Sequence, residues 1–164
     1  MLGRLLARLP SPRRENAILT LYCLRTPMLL LMRPRVVLNT PDKVVIRVPL
    51  NWFTSNQWRT MFFAAIAAGA DLTGGFAAFE RAPQLSIGVL YKSFSCAFLR
   101  RIDGPMLLHC HDVQAILGAI AEADRTGARV NVDVKVSGYV EGYSDASPCV
   151  TAAMVLSLKK VTHG

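Results

Sequence analysis

An apolar stretch of the chain contains a single carboxylate. Residues 61–79 read MFFAAIAAGADLTGGFAAF, and Asp71, near the middle, is the only ionisable side chain among them. Burying a charge in apolar surroundings is unfavourable, so such a carboxylate is normally paired, hydrogen-bonded, held neutral or placed where a ligand or water reaches it. Burial would also raise its pKa toward the value that a general base needs at neutral pH. Asp71 is therefore the first candidate catalytic residue, and a purely structural role, hydrogen-bonded to Thr73 or to a subunit-interface backbone, stays open.

The residues around Asp71 could form the rest of a site. Small residues one turn away on either side leave room for a substrate or a partner backbone: Ala67, Ala68, Gly74 and Gly75. Upstream of the carboxylate lie Asn56 and several aromatic and methionine side chains whose spacing is typical of core residues: Trp58, Met61, Phe62 and Phe63.

Metal chemistry has weak support. His109 and His111 would face the same way on a strand, but two ligands without a third do not define a site, and no metal or cofactor is expected. The four cysteines are widely spaced without a CxxC pair: Cys23, Cys96, Cys110 and Cys149. They are typical of reduced core cysteines in a cytoplasmic protein.

The net charge of +8 is unevenly distributed along the 164 residues. Residues 1–35 contain seven Arg and one Glu, so the remainder of the chain is almost neutral. No basic run is interleaved with aromatic residues, and nucleic-acid binding is therefore not expected. The length predicts one domain. The apolar content of 52% is typical of a membrane protein or of a domain that buries surface in an oligomer, and we expect the oligomer.

The N-terminal part predicts helices. Residues 1–9 place Leu at amphipathic spacing with Arg on the opposite side, which predicts a short docked helix, a poorly ordered tail or a peripheral membrane contact. Residues 17–32 predict a helix that covers one edge of the core. We therefore divide the chain into a basic helical extension, residues 1–34, and a single domain, residues 35–164.

The remainder alternates between strand and helix signals. Two β-branched runs flank the turn at residues 39–42, which predicts a hairpin. Capping side chains at residues 54–56 predict a helix from about Gln57 to Glu80. Further strands are expected at residues 85–99, 105–109, 129–143 and 149–161. A helix between them begins at a capping Asp112 and ends at Gly127.

The apolar helix would pass a hydropathy filter for a membrane span. Asp71 would then lie near the bilayer centre at a cost of several kcal/mol. The following segments also alternate between apolar and polar residues, as in a half-buried antiparallel sheet. We therefore expect a helix wrapped by a curved antiparallel sheet, which also requires a helix that is apolar all round.

This order of elements resembles the hotdog fold over residues 35–161. Within that superfamily the pattern is similar to the PaaI-like thioesterases, which have an Asn, a Gly-rich step and an acidic residue; Asn56 and Asp71 match the first and last. Phe62-Phe63-Ala64 stands where those enzymes have His-Gly-Gly. The segment PLNWFTSNQWRTMFFAAIAAGAD most resembles an uncharacterised hotdog family that lacks this step.

The resemblance implies hydrolysis of an acyl-coenzyme A or another acyl thioester at the interface of a homodimer or a dimer of dimers. Asp71 would be the base or nucleophile, Asn56 would orient water or substrate, and amides near Phe63 and Ala64 would polarise the carbonyl. The side chains that would line an acyl tunnel, or would simply belong to the core, are Trp58, Met61, Phe62 and Phe63. Candidates for binding coenzyme A phosphates are Arg81, Lys92, Arg100 and Arg101. The hydratase and dehydratase motifs of the superfamily are absent from the sequence. The alternative is a non-catalytic protein that binds acyl-coenzyme A or lipid.

Overall fold

The structure, a computed structural model, describes residues 10–143 and 147–161, apart from the side chain of Pro83. Its helices are α1 (Arg13–Leu24), α2 (Pro27–Met32), α3 (Phe63–Arg81) and α4 (Val113–Thr126), and a 3₁₀ turn spans Ala82–Leu85. Its strands are β1 (Arg35–Asn39), β2 (Val44–Val48), β3 (Ile87–Phe98), β4 (Met106–Cys110), β5 (Val130–Val140) and β6 (Val150–Lys160).

The strands form one curved antiparallel sheet in the order β1-β2-β4-β5-β6-β3, and α3 packs against its concave face. Glycines on α3 allow a close approach between helix and sheet. A Cβ added to Gly69 would lie 2.6 Å from a methyl of Leu108, and one added to Gly74 would lie 2.7 Å from the sulfur of Met154. The predicted α+β architecture, a curved antiparallel sheet around a long central helix, is confirmed.

The hairpin and the long strands occur where the sequence predicts them. The Thr40 amide donates to the Lys43 carbonyl at 2.9 Å and closes the β1–β2 turn. Buried residues alternate along most of β5, and β5 pairs with β6 from Val130 to Gly138. Period-two patterning is local information, which explains why these elements could be identified from the sequence.

The central helix begins later in the chain than the sequence predicted. We expected it near Gln57, but α3 begins at Phe63, and residues 51–62 form a compact loop. The potential capping side chains are used inside that loop. The Thr54 hydroxyl, for example, donates to the Pro49 carbonyl at 2.7 Å, and no side chain caps the helix at Phe62.

Helix α4 begins directly after Asp112 and ends at Gly127, as predicted, but the expected side-chain cap is not formed. Gly127 adopts the left-handed conformation with φ of 68°, which a residue with a Cβ adopts only at a steric cost. Asp112 does not cap the helix with its side chain. Its carboxylate instead accepts a hydrogen bond from the Lys135 amide at 2.7 Å and connects α4 to β5.

Residues 17–32 were expected to form one helix over an edge of the core. They belong to two helices, α1 and α2, because Pro27 starts a new one. On α1, the Asn16 amide group acts like a neighbouring strand. It accepts from the Val36 amide and donates to the Val36 carbonyl, both at 3.0 Å. The backbone hydrogen-bonding groups on the outer side of β1 are therefore partly paired. Residues 1–9, with their predicted amphipathic helix, lie outside the described residues.

Within the described residues, no helix has the length and hydropathy needed to span a bilayer.

Candidate functional site

The carboxyl group of Asp71 lies in a largely enclosed position on the middle of α3. Its Oδ1 is buried and has no hydrogen-bond partner within residues 10–143 and 147–161. Burial raises the pKa of Asp71 above its ordinary value, and hydrogen bonding from Tyr91 partly opposes this rise. A buried acceptor without a partner is unusual in a native protein. This atom therefore has an unused hydrogen-bonding capacity inside the fold.

Tyr91 reaches α3 from the sheet. Its hydroxyl donates to the main-chain oxygen of Asp71 at 3.1 Å, and burial together with the Asp71 charge raises the pKa of Tyr91 strongly. A Cβ at Gly75 would overlap both the Tyr91 hydroxyl and the ring of Phe79, so this close approach requires glycine. Strand β3 also has a bulge next to Tyr91, where Lys92 is the extra residue. Bulges of this kind redirect neighbouring side chains.

Tyr22 on α1 is the second phenol close to Asp71. Burial raises the pKa of Tyr22, and the Asp71 charge adds to the rise. Its ring stacks on Phe79, with ring centroids 4.2 Å apart and an interplanar angle of 15°. Asp71 thus has two neutral phenols as neighbours. Burial destabilises its charged form, and this raises its pKa in the direction that a general base at neutral pH needs.

Asn56 organises the loop before α3. Its side-chain oxygen accepts hydrogen bonds from the amides of Trp58 and Thr60 at 2.9 and 3.1 Å, and from the Thr60 hydroxyl at 3.1 Å. Arg59 has a positive φ of 57° inside this turn. Since the side-chain oxygen of Asn56 is already occupied, only its amide NH₂ remains to contact a ligand. The proposed role of Asn56 toward substrate stays a prediction.

The beginning of α3 lines a pocket of about 390 Å³. Its lining residues are Asn56, Gln57, Thr60, Met61, Phe62, Phe63, Ile66, Phe98, Arg100, Arg101 and Ile102. The first amides of a helix have no intrahelical acceptor, so the N–H groups of Phe63 and Ala64 are available there. Phe62 and Phe63 contact edge to face, with ring centroids 5.1 Å apart. The pocket therefore combines helix-end amides, aromatic walls and guanidinium groups.

Two of the four candidate phosphate ligands reach this pocket. Arg101 donates to the Trp58 carbonyl at 3.1 Å, and Arg100 donates to the Ser147 carbonyl. Arg81 lies in a different groove, beside Glu80 and α4. Lys92 is exposed on β3. Only Arg100 and Arg101 are therefore placed near the candidate amides.

One protomer does not bring all of the predicted site residues together. Asp71 is about 12 Å further along the helix axis than Phe63, at 1.5 Å per residue. Gly74 packs against Met154 and Val134 of the sheet, whereas Gly75 borders Tyr91. Asn56, Met61, Phe62 and Phe63 share the pocket at the start of α3. Within one protomer, the carboxylate and this pocket are therefore separate.

The histidines and cysteines form no metal centre in the described part of the chain, where no three ligating side chains lie together. The rings of His109 and His111 are 6.5 Å apart, and His109 packs on Tyr139. Burial, Lys43 and His111 lower the pKa of His109 to about 4. Cys23, Cys110 and Cys149 are buried, and burial raises the pKa of Cys110 to about 11.

The sequence did not reveal Tyr22 and Tyr91 as neighbours of Asp71. They lie on other elements, and no spacing rule links them to α3. The charge-free stretch around Asp71 indicated only that something must compensate the carboxylate.

The fold is that of known structures. The chain superposes on a protein of unknown function from Chlorobaculum tepidum with a TM-score of 0.76 at 12% identity, covering 92% of this chain and 97% of the other. A protein from Pseudomonas aeruginosa described as a probable thioesterase gives 0.74 at 17% identity, covering 93% and 97%. A thioesterase family protein from Silicibacter pomeroyi gives 0.67 at 15% identity, covering 90% and 99%. The protein therefore has the hotdog fold of thioesterase-like proteins.

Within this class, residues 14–142 match the family model described as Domain of unknown function (DUF4442). The chain belongs to this family. No curated protein matches it in sequence.

Proposed function

We propose that the protein hydrolyses an acyl thioester of the acyl-coenzyme A class at a site formed between two copies of the chain. The observation that carries the proposal is the buried, unpartnered Oδ1 of Asp71 on the central helix of a hotdog fold. Its raised pKa suits a general base. The thioesterase descriptions of structurally similar proteins support the same reaction class.

The reaction is a base-assisted attack by water. Asp71 takes a proton from water as the water oxygen bonds to the thioester carbonyl carbon, and a tetrahedral oxyanion forms. Amides at the start of α3 stabilise this oxyanion. The carbon–sulfur bond then breaks, and Asp71 returns the proton to the thiolate, so that a free acid and a thiol leave. Arg100 and Arg101 would contact phosphate groups of the leaving thiol.

A second copy is needed because the carboxylate and the helix-end amides are too far apart within one protomer. The exposed outer strand β3 offers the means. Across a two-fold axis, antiparallel pairing of two β3 strands would place α3 helices of opposite direction side by side. Asp71 of one copy would then approach the helix start of the other. This arrangement also buries apolar side chains of β3 that are exposed in the protomer: Leu90, Phe94 and Phe98.

The test is the release of free thiol from short, long and aromatic acyl-coenzyme A esters by the native protein and by Asp71→Asn. We expect turnover by the native protein and a loss of about 10²-fold or more in the variant, typical for removal of a catalytic base. Size-exclusion chromatography of both proteins controls for assembly. Equal rates in the two proteins would remove Asp71 from the mechanism.

A non-catalytic acyl-thioester or lipid carrier is the second candidate. Phe62 and Phe63 occupy the place of His-Gly-Gly, and their side chains are exposed at the helix start. These rings narrow access to the amides. Binding of acyl-coenzyme A by the native protein, without release of thiol from any ester, would favour this function over hydrolysis.

A further inference from the structure

A cavity of about 610 Å³ lies between α1, the C-terminal half of α3 and β3. It shares no lining residue with the pocket at the start of α3. Its lining residues are Ile18, Leu19, Leu21, Tyr22, Leu24, Arg25, Phe76, Ala78, Phe79, Ala82, Ile87 and Val89. Its volume falls within the range of small-molecule sites, about 300–1,000 Å³.

The lining is chemically uniform. Tyr22 and Arg25 are the only polar side chains in it, and Arg25 is exposed, so its guanidinium reaches water while its stem covers apolar surface. Leu21 and Leu24 are also exposed at the rim. A concave apolar surface of this kind accepts an aliphatic chain and offers almost nothing to a polar ligand.

The cavity lies along the same face of α3 as the candidate base. Helical residues separated by three, four, seven or eleven positions share a face, so Asp71, Gly75, Ala78 and Ala82 form one stripe. Ala78 is about 10 Å from Asp71 along the axis. Tyr22 and Phe79, whose rings are stacked, line the cavity, and the phenol of Tyr22 is also an electrostatic neighbour of Asp71. Asp71 and Gly75 themselves do not line the cavity, and Gly75 is covered by the Tyr91 hydroxyl and the Phe79 ring. A chain in the cavity would therefore approach the carboxylate from the Tyr22 side.

We infer that this cavity binds a long aliphatic acyl chain, in place of the tunnel expected from Trp58, Met61, Phe62 and Phe63. The connection to a thioester carbonyl rests on the proposed function, but the binding of the chain does not. A short acyl group at Asp71 would leave the cavity unfilled and lose the burial of apolar surface that each CH₂ group of a longer chain contributes. Long-chain esters are therefore the preferred substrates.

The binding test uses the fluorescent fatty acid cis-parinaric acid as a probe of the full chain. Ile18→Trp places a large ring in the cavity. Thr20→Trp is the matched control, since Thr20 is on the same helix, is exposed and does not line the cavity. We expect Ile18→Trp to bind the probe at least about tenfold more weakly, whereas Thr20→Trp remains within about twofold of the native protein. Leu21→Trp, at the exposed rim, repeats the test if Ile18→Trp does not fold.

Absence of probe binding by the native protein would overturn the inference, as would equal binding by the native protein and a folded cavity variant. If a second copy of the chain filled the cavity in solution, the native protein would not bind the probe, and the inference would be overturned.

The second measurement is the ratio of kcat/KM for dodecanoyl- and butanoyl-coenzyme A. We expect the cavity variants to lower this ratio by at least about tenfold, chiefly through the long ester. An unchanged ratio with Asp71-dependent hydrolysis would refute the cavity as the acyl site and leave the proposed function standing. Probe binding that is lost in the variants, with no hydrolysis of any ester, would refute the function and retain the cavity.

Discussion

At the scale of single residues, the buried position of Asp71 is unfavourable for stability and suits its proposed catalytic role. Its buried Oδ1 has no partner in the described residues, and its pKa is raised mainly by burial. Groups held in unfavourable surroundings often serve function at the expense of stability. The two phenols near Asp71 remain neutral at physiological pH and do not compensate its charge with a cation.

Asp71→Asn is therefore expected to be more thermally stable than the native protein at neutral pH. For a carboxyl with a raised pKa, the folded state binds more protons than the unfolded state, so stability falls as pH rises from the ordinary Asp pKa through the raised value. Thermal unfolding of both proteins should show a difference that grows from about pH 4 until the pH exceeds the raised pKa of Asp71, and then levels. A native protein that is the more stable at every pH would indicate that Asp71 has a stabilising partner.

Tyr91→Phe tests how the base is tuned. Hydrogen bonding from Tyr91 lowers the pKa of Asp71, so its removal raises that pKa further. A base must be deprotonated to act, and the acid limb of kcat/KM against pH should therefore move to higher pH. Tyr143→Phe, which removes a hydroxyl bonded to Asp103, is the control and should leave the profile in place. A shift in the opposite direction would contradict the proposed role of Tyr91.

At the scale of elements, the close approach of the sheet explains why glycine stands at several positions of α3. Gly69, Gly74 and Gly75 each contact a side chain of another element so closely that a Cβ would overlap it. Glycine within a helix is unfavourable by about 1 kcal/mol relative to alanine. Packing therefore outweighs helix propensity along this element.

The same substitution should have opposite effects on α3 and α4. Gly69→Ala gains helix propensity but forces the new methyl into Leu108 and Val48, and we expect a net loss of about 1–2 kcal/mol in the free energy of unfolding. Gly118→Ala, on exposed α4 with no neighbour within 4 Å of the new methyl, should gain about 0.5–1 kcal/mol. Urea denaturation of the two variants gives both values. A gain at Gly69 would show that α3 and the sheet are less tightly packed than described.

At the scale of the whole molecule, the two edges of the sheet differ. The β1 edge is partly satisfied by Asn16, whose side chain bonds to both backbone groups of Val36. The β3 edge has a strand neighbour on one side only among the described residues, and side chains on both of its faces are exposed. An unprotected apolar edge strand is a ready site for pairing with another chain. This asymmetry favours a homodimer through β3.

Phe94→Arg on β3 should therefore yield a protein of half the native mass by light scattering, with little thiol release because each site is incomplete. Phe94 is 42% exposed in the protomer, so the substitution need not disturb the core. Val37→Arg on the opposite edge, where the side chain is 49% exposed, is the matched control and should retain mass and activity. A native protein that is already a monomer, or a Phe94 variant of native mass, would refute pairing through β3.

The sequence by itself determined the elements whose signals are local. Turn residues and alternating β-branched runs defined the hairpin and the long strands, and the small apolar residues around Asp71 defined the central helix and its wrapping sheet. These patterns depend on neighbouring residues only. The domain boundary at residue 35 and the roles of Asn56, Trp58, Ala64 and the remaining site residues stay predictions.

Only the tertiary structure decided what surrounds Asp71. Tyr22 and Tyr91 reach it from α1 and β3, and the apolar cavity lined by Tyr22 exists because α1 packs beside α3. These contacts join residues far apart in the chain, and no local pattern encodes them. The start of α3 at Phe63 differs from the prediction for another reason, since the side chains of residues 54–56 form hydrogen bonds within their own loop and do not cap a helix.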